Sequence, residues 1–552
     1  MIPLLALALA ATPAARCVEL VGTNDLHGHV SPERIVMPPP PPVGVRRRGG
    51  DPAYPASGEG EGELRGGLAW FGGYLARLRG QRLPVVLVDA GDLFQGTLES
   101  NRSHGRAVIE AYDALHYDAA TLGNHEFDFG AEPPDRDLLA ALRHRLAEAD
   151  FPFVAANVTL RATGAPPPWK RLAPSVLLRE GALTVGIVGV AHPETPSLTL
   201  RQNVAALVFE DPVAAVIREA GRLRARGADL VVLLAHFGGA CSELSGRGDE
   251  RSCEPDGRIG RLLHALPPGT VDVAVAGHTH QLMANWIAGV PVVEAGFGGR
   301  AFDWITACAK PGGGLDREAS TLHPPVAVVP GGTFLGAKVT PDPEVARRLA
   351  PFLERVAAQA DRRLGPVLGG PIVRDYRSLS PLGALAAEAL RRYAHADAAL
   401  LNPGGLRADL PKGELTYGAL FRALPFENRA VVLRVPGRTL VALLDALSQG
   451  HGYPQVAGLR LQGPPGAFSK VTLAGGEPVD PERTYRLATV DFLASGGDGL
   501  GPVIARIPPS AVERLTGAPV LREIVLSYLE RHPSALDAAQ PKGAAPLAAP
   551  PP

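Results

Sequence analysis

The sequence predicts an α/β protein of two domains joined by a helix. Short β-branched apolar runs bounded by glycine recur through the first half of the chain and read as buried strands. Stretches with apolar residues at helical spacing lie between them, such as GLAWFGGYLARLRG and DPVAAVIREAGRLRARG at 211–227, which makes the pattern α/β. From Pro341 to Leu364 one longer helical stretch, PDPEVARRLAPFLERVAAQADRRL, separates this region from a second α/β region running from about Gly365 to Glu530. At 552 residues the chain is long enough for two cores.

The elements follow in order. Residues 1–15, MIPLLALALAATPAA, are apolar, too short to span a bilayer, and end in small residues, which reads as a secretory signal peptide cleaved near Ala14 or Ala15. No Lys or Arg precedes the apolar run, and Arg16 before Cys17 argues against a lipid anchor. The expected location is the periplasm or the exterior. The first domain is expected over 16–330. Within it, the segment from Ser31 to Arg65, with PPPPP, RRR and EGEGE, cannot bury a core and is expected to be a mobile insertion. Residues 331–364 form the linker helix region, 365–530 the second domain, and 531–552 an Ala/Pro tail expected to be disordered. Four cysteines, Cys17, Cys241, Cys253 and Cys308, allow three pairings in an oxidising compartment or can stay as buried thiols. Pairing Cys241 with Cys253 would close a polar loop just after His236.

Formal net charge is −1, which offers no electrostatic argument for a nucleic-acid polymer or a membrane surface, and a small soluble substrate is expected instead. Where, then, does the chemistry sit? Five polar segments follow strand-like runs. Asp25 and His27 (DLHGH, 25–29) come after CVELVGT, and Asp92 comes after PVVLVDAG. Asn124 (GNHEFD, 123–128) comes after DAATLG, His236 (AHFGG, 235–239) after DLVVLLA, and His278 and His280 (GHTH, 277–280) after VDVAVAG. Metal ligands must be held to a fraction of an ångström, and strand ends on one sheet edge can do this where free loops cannot. Asp25, His27 and His280 can take one ion, and Asn124, His236 and His278 a second, with the two oxygens of Asp92 bridging them. Any one of these histidines alone would more often be structural, but the set in this order points to two divalent ions. Oxygen and imidazole ligands without thiolate suit Zn, Mn, Fe or Co.

The order DxHG, GD, GNHEFD, H, GHxH resembles the calcineurin-like metallophosphoesterases, and GNHEFDFG resembles their 5'-nucleotidase branch. NPGGLR (402–407), ALPFENRAVVLRVPGRTL (423–440) and DFLASGGDGL (491–500) resemble that family's C-terminal substrate domain. The resemblance implies an N-terminal β-sandwich flanked by helices, an α/β substrate domain, and release of phosphate from nucleoside 5'-monophosphates by hydroxide held between two metal ions. It assigns His125 to transition-state stabilisation or leaving-group protonation, oriented by Asp128. It also implies that Phe426 and Phe492 sandwich the base, tolerant of its identity, while Asp498 accepts ribose hydroxyls. Asn402 would contact the base, and Arg407 the phosphate or ribose side. One position departs from the pattern: seven residues before Gly383, where the family places a phosphate-binding Arg, stands Tyr376, flanked by Arg374 and Arg377. Closure or rotation of the second domain about the segment after Leu364 is also implied. Related scaffolds leave open a 2',3'-cyclic-nucleotide phosphodiesterase with 3'-nucleotidase activity, a UDP-sugar hydrolase or a thiosulfohydrolase. A nucleotide-binding module without activity stands as the non-enzymatic alternative. Oligomeric state is open.

Overall fold

The computed structural model describes residues 16–35, 62–244, 250–255, 257–450, 452–515 and 517–532. The leader-like 1–15, the centre of the proline- and charge-rich segment and nearly all of the tail lie outside the described residues. The two ends of that segment are ordered, contrary to expectation. Glu33–Ile35 pairs antiparallel with Glu63–Arg65, and Ile35 is buried.

Two sheets pack face to face in the first half. One orders its strands Thr321–Leu322, Ala301–Cys308, Cys17–Thr23, Val85–Asp89, Ala119–Thr121, Phe153–Val154 and Leu172–Ala173, with Val326–Ala327 also on Ala301–Cys308. The other runs Leu282–Ile287, Val290–Ala295, Val273–Ala276, Leu230–Ala235, Leu183–Val190, Ser175–Glu180. The period-2 alternation of a strand sorts the side chains. Val18, Leu20, Val86, Val88, Leu230, Val232, Leu234, Val273 and Val275 fill the space between the sheets. Val21 and Leu87 face outward against Leu68–Arg79 and Arg106–Leu115, while Val231, Leu233, Ala274 and Ala276 face Pro212–Ala225 and Arg258–Ala265. Both faces are therefore covered, which is why these strands read as unbroken apolar runs.

Strand direction builds the site. Cys17–Thr23, Val85–Asp89 and Ala119–Thr121 are mutually parallel, as are Leu183–Val190, Leu230–Ala235 and Val273–Ala276. Every segment singled out as polar therefore leaves its sheet at the carboxyl edge, the edge where open α/β sheets bind ligands.

The connecting helix is Pro343–Ala360. Asp342 caps it, its carboxylate accepting from the N–H groups of Glu344 and Val345, and Pro343 sits in the first turn, where no donor is needed. Val345 and Leu349 enter the core of the first half, whereas Val356 enters that of the second. One amphipathic helix thus belongs to both cores. The second half has a five-stranded sheet ordered Gln455–Ala457, Ala398–Leu401, Thr484–Val490, Ala430–Pro436, Val512–Arg514, with Pro381–Tyr393, Gly437–Ser448 and Leu521–Arg531 packed around it. Two disulfides are present. Cys241–Cys253 closes the loop after His236, and Cys17–Cys308 staples the first strand to its antiparallel neighbour.

Candidate active site

The strand ends bring all seven expected metal-binding residues together. Ligand atoms of Asp25, His27 and His280 lie within 4.8 Å of one another, and so do those of Asp92, His236 and His278; His27, Asp92 and His125 form a third such group. Asp92 is central, with Oδ2 3.1 Å from His236 Nε2 and 3.9 Å from His27 Nε2. His280 Nε2 is 3.4 Å from Asp25 Oδ1, and Asn124 lines the same cavity.

Backbone geometry shows the cost of this convergence. Asp25, His27, Asp92, His278 and His280 all have positive φ, between 49° and 71°. A non-glycine residue in the left-handed region costs on the order of 1 kcal/mol, and such strain gathers at functional sites. Asp and His tolerate it better than most residues. Gly123 has a different reason to be glycine, since a Cβ there would stand 2.1 Å from Asp92 Oδ1.

Hydrogen bonds aim the donor atoms. His27 Nδ1–H donates to the Gln95 carbonyl (3.0 Å) and His236 Nδ1–H to the Ala90 carbonyl (2.8 Å), which turns both Nε2 atoms inward. Asp25 Oδ2 accepts from Asn24 Nδ2 and the His278 N–H, both at 2.7 Å, and Asp92 Oδ1 accepts from the His125 N–H. The inward-facing Asn124 Oδ1 is buried without a hydrogen-bond partner among the described residues, while Asp25 Oδ1 and His236 Nε2 meet only the fellow cluster atoms His280 Nε2 and Asp92 Oδ2. Buried polar atoms are nearly always satisfied, so an inward set of oxygen and imidazole atoms that face one another fits divalent cations. Charge agrees with this. Despite burial, surrounding histidines hold Asp92 well below the usual carboxylate range. Burial, with Arg407 nearby, keeps His27 well below 6.5, and burial beside His236 takes His278 down to about 3. Both are uncharged and can donate a lone pair. His236 also pays for burial, but Asp92 outweighs it and pushes the ring up to about 10, so a cation entering there must displace a proton.

Beside the cluster, His125 Nδ1–H donates to Asp128 Oδ2 at 2.5 Å, and Thr199 Oγ1 donates to Asp128 Oδ1 at 2.7 Å. Burial opposes charge on His125, but Asp128 and Asp92 overcome it and raise its pKa above the ordinary value. Both His125 and Asp128 face a cavity of about 500 Å³ between the two halves.

The far wall of that cavity carries the residues expected from the second half: Asn402, Arg407, Phe426, Phe492 and Asp498. Ala398–Leu401 and Thr484–Val490 are parallel, so Asn402 and the turn holding Phe492 and Asp498 emerge at one edge. Asn402 Nδ2 donates to Asp498 Oδ2 (2.7 Å), which couples the two as one polar unit. Asp498 has φ 47°, another strained position. Phe426 lies with its ring centroid 5.6 Å from that of His125, and Arg407 Nη2 is 3.2 Å from His27 Nε2. Arg374 and Tyr376 line the cavity, whereas Arg377 is exposed outside it.

Sequence reasoning missed three supporting groups. Glu126 accepts from the N–H groups of Asp92 (2.9 Å), Leu93 (2.6 Å) and Gly123 (2.6 Å), clamping two strand-end loops together; burial, then Asp92, pushes its carboxyl up to about 8. It lies inside the quoted GNHEFD segment, but nothing local marks it as the clamp. Thr199 orients Asp128 from a distant turn. His192 lines the cavity after Leu183–Val190, and the same sign that marked the other segments, a polar residue following a buried strand, could have found it.

Comparison with known proteins agrees with this geometry. Residues 20–282 match the calcineurin-like phosphoesterase family, and residues 358–506 the C-terminal domain of 5'-nucleotidases. The protein UshA of Yersinia enterocolitica is 26% identical over 495 residues, covering 83% of this chain and 85% of the relative. A snake venom 5'-nucleotidase from Crotalus adamanteus is 25% identical over 469 residues, covering 79% and 76%. The structure of a 5'-nucleotidase precursor from Thermus thermophilus superposes with a TM-score of 0.74 at 26% identity, covering 93% of this chain and 96% of that one. The chain belongs to the calcineurin-like phosphoesterases that carry a C-terminal 5'-nucleotidase domain, and it is a metal-dependent phosphoester hydrolase.

Proposed function

We propose that this chain releases phosphate from nucleoside 5'-monophosphates in an exported location, using two divalent ions. The reading is carried by one juxtaposition: Phe426 and Phe492 share a single cavity with the Asp92-centred histidine cluster. A flat π face at one end and a phosphoryl-binding centre at the other match a nucleotide's two ends. Asp25, His27, His280 and Asp92 would hold one ion, and Asp92, Asn124, His236 and His278 the other. Such ions supply Lewis acidity toward phosphoryl oxygens and make hydroxide available at neutral pH. Their identity lies among Zn, Mn, Fe and Co.

The remaining chemistry falls to side chains. His125, held protonated by Asp128, meets charge developing on the phosphoryl or leaving oxygen. Arg407 reaches His27, which supports a contact to the phosphate end rather than the ribose. The Asn402–Asp498 pair is placed to bind ribose hydroxyls and the nearby base edge. Arg374 takes the phosphate-side role left open by Tyr376, because it faces the cavity and Arg377 does not. Export is supported by the apolar character of residues 1–15 and by two disulfides, which persist in oxidising compartments; among the described residues no helix is long and apolar enough to cross a membrane.

The test is phosphate release from AMP, compared with 2',3'-cyclic AMP and UDP-glucose, with and without chelator. AMP hydrolysis that exceeds both others and is abolished by chelation is expected. A chelator-sensitive preference for either other substrate would replace this reading.

A further inference from the structure

His192 is a buried imidazole that belongs to none of the candidate metal groupings, yet it lines both the central cavity and a smaller groove of about 210 Å³ running from the same histidines toward Arg261. It stands where Leu183–Val190 ends, in the row of strand ends that supplies the rest of the site. Its ring centroid lies 4.6 Å from that of His278 and 6.0 Å from that of Phe237.

Its position is unusually well determined. Asn157 clamps the preceding residue from both sides, Oδ1 accepting the Ala191 N–H and Nδ2 donating to the Ala191 carbonyl, each at 2.9 Å. The His192 carbonyl accepts from Thr195 through both its N–H (3.0 Å) and its hydroxyl (2.6 Å). The ring itself is tied down, because Nδ1 accepts the Glu194 N–H at 3.1 Å. A backbone N–H can only donate, so Nδ1 carries a lone pair and the ring proton is on Nε2. That Nε2–H is on the opposite edge of the ring, and no other described residue accepts from it. A residue whose backbone is pinned on either side and whose ring is tied at Nδ1, with one donor left over, is how preorganised substrate contacts are built.

We propose that His192 is a substrate-contacting residue whose Nε2–H donates to a non-bridging oxygen of the phosphoryl group held at the metal centre. The proposal rests on the phosphoester-hydrolase chemistry alone, so it stands or falls separately from the choice of a nucleotide as substrate.

Two substitutions separate this role from a structural one. His192→Asn places an amide oxygen where Nδ1 accepts the Glu194 N–H but has no group at the Nε2 position. His192→Gln carries its amide N–H out to about the Nε2 position. Orthophosphate binding to the metal-loaded protein is measured by calorimetry, together with turnover of p-nitrophenyl phosphate and metal content. The expected result is that His192→Asn and His192→Ala bind orthophosphate roughly 10-fold more weakly and lose on the order of 100-fold in kcat/KM, with metal content as in the unaltered protein and most of the loss recovered in His192→Gln. Unchanged orthophosphate affinity in His192→Asn overturns the proposal, as does recovery by Asn but not Gln. Loss of metal on substitution would make His192 a ligand instead, which also overturns it.

Discussion

His125 sits between two carboxylates, and the balance of burial against charge sets its behaviour with pH. Its pKa is raised, so the imidazolium is complete below the ordinary value of about 6.5 and persists until pH passes the raised one. Activity that depends on this proton should fall on the alkaline side, and Asp128→Asn should move that fall to lower pH, as read from kcat against pH. His125→Ala should keep both ions by metal analysis while losing about 100- to 10,000-fold in kcat; unchanged turnover with full metal content would refute the role. On the acid side the sign is opposite. His236 holds a proton up to about 10 when no cation is present, so loading must release it, and metal affinity should weaken as pH falls. Titration in buffers of different ionisation enthalpy reads that proton directly. The neighbouring arginines make a sharper pair: Arg374→Ala should lower kcat/KM about 10-fold or more, the scale of one charge-assisted hydrogen bond, whereas Arg377→Ala should leave it unchanged.

At the scale of elements, the connecting helix and the disulfides carry distinct loads. Asp342 satisfies two first-turn N–H groups, and Asp342→Ala should cost about 1 kcal/mol of stability in thermal unfolding. Because Pro343–Ala360 buries residues in both cores, that loss should register in the unfolding of both halves rather than one. Cys17–Cys308 spans 291 residues and Cys241–Cys253 only 12. Loop-closure entropy therefore predicts a larger destabilisation for Cys17→Ser than for Cys253→Ser, about 6 against about 3 kcal/mol. Equal shifts on denaturant titration would show that chain entropy is not what these bonds restrict.

For the whole molecule, polar contacts join the two halves around the cavity, the His125 and Phe426 rings meet across it, and Leu98 of the first half is buried in the core of the second. Asn101 Nδ2 donates to the Pro425 carbonyl (3.1 Å), the Asp498 N–H donates to the Ser197 carbonyl (3.0 Å), and Arg407 reaches His27. These polar contacts surround a substrate-sized space that substrate must enter and leave, while the connecting helix is shared by both cores, so rotation about the segment following that helix is the expected motion. A crosslink engineered between positions 101 and 425, which already meet across the halves, should lower turnover, most simply by slowing exchange of substrate and product, and reduction of the crosslink should restore it. Full turnover in the locked state would remove the motion from the cycle.

The α/β class, the strands ahead of each polar segment, the helix near 341–364 and the seven residues centred on Asp92, itself among them, were all legible, because each is written in local periodicity and short motifs. The Cys241–Cys253 bridge could be named as one option because only a short loop separates its partners. What remained hidden depends on distance along the chain. Cys17 meets Cys308 only because their strands pair, and Glu126 clamps Asp92 only because two loops leave neighbouring strands. The choice of Arg374 over Arg377 depends on which face of a loop turns toward the cavity. His192 joins the site only because its sheet lies against the other with both carboxyl edges on one side. The linear order of residues by itself determined the elements and the chemical groups available to them. Only tertiary packing decided which groups converge, at what distance and in which protonation state, because burial and opposite charges act between segments hundreds of residues apart.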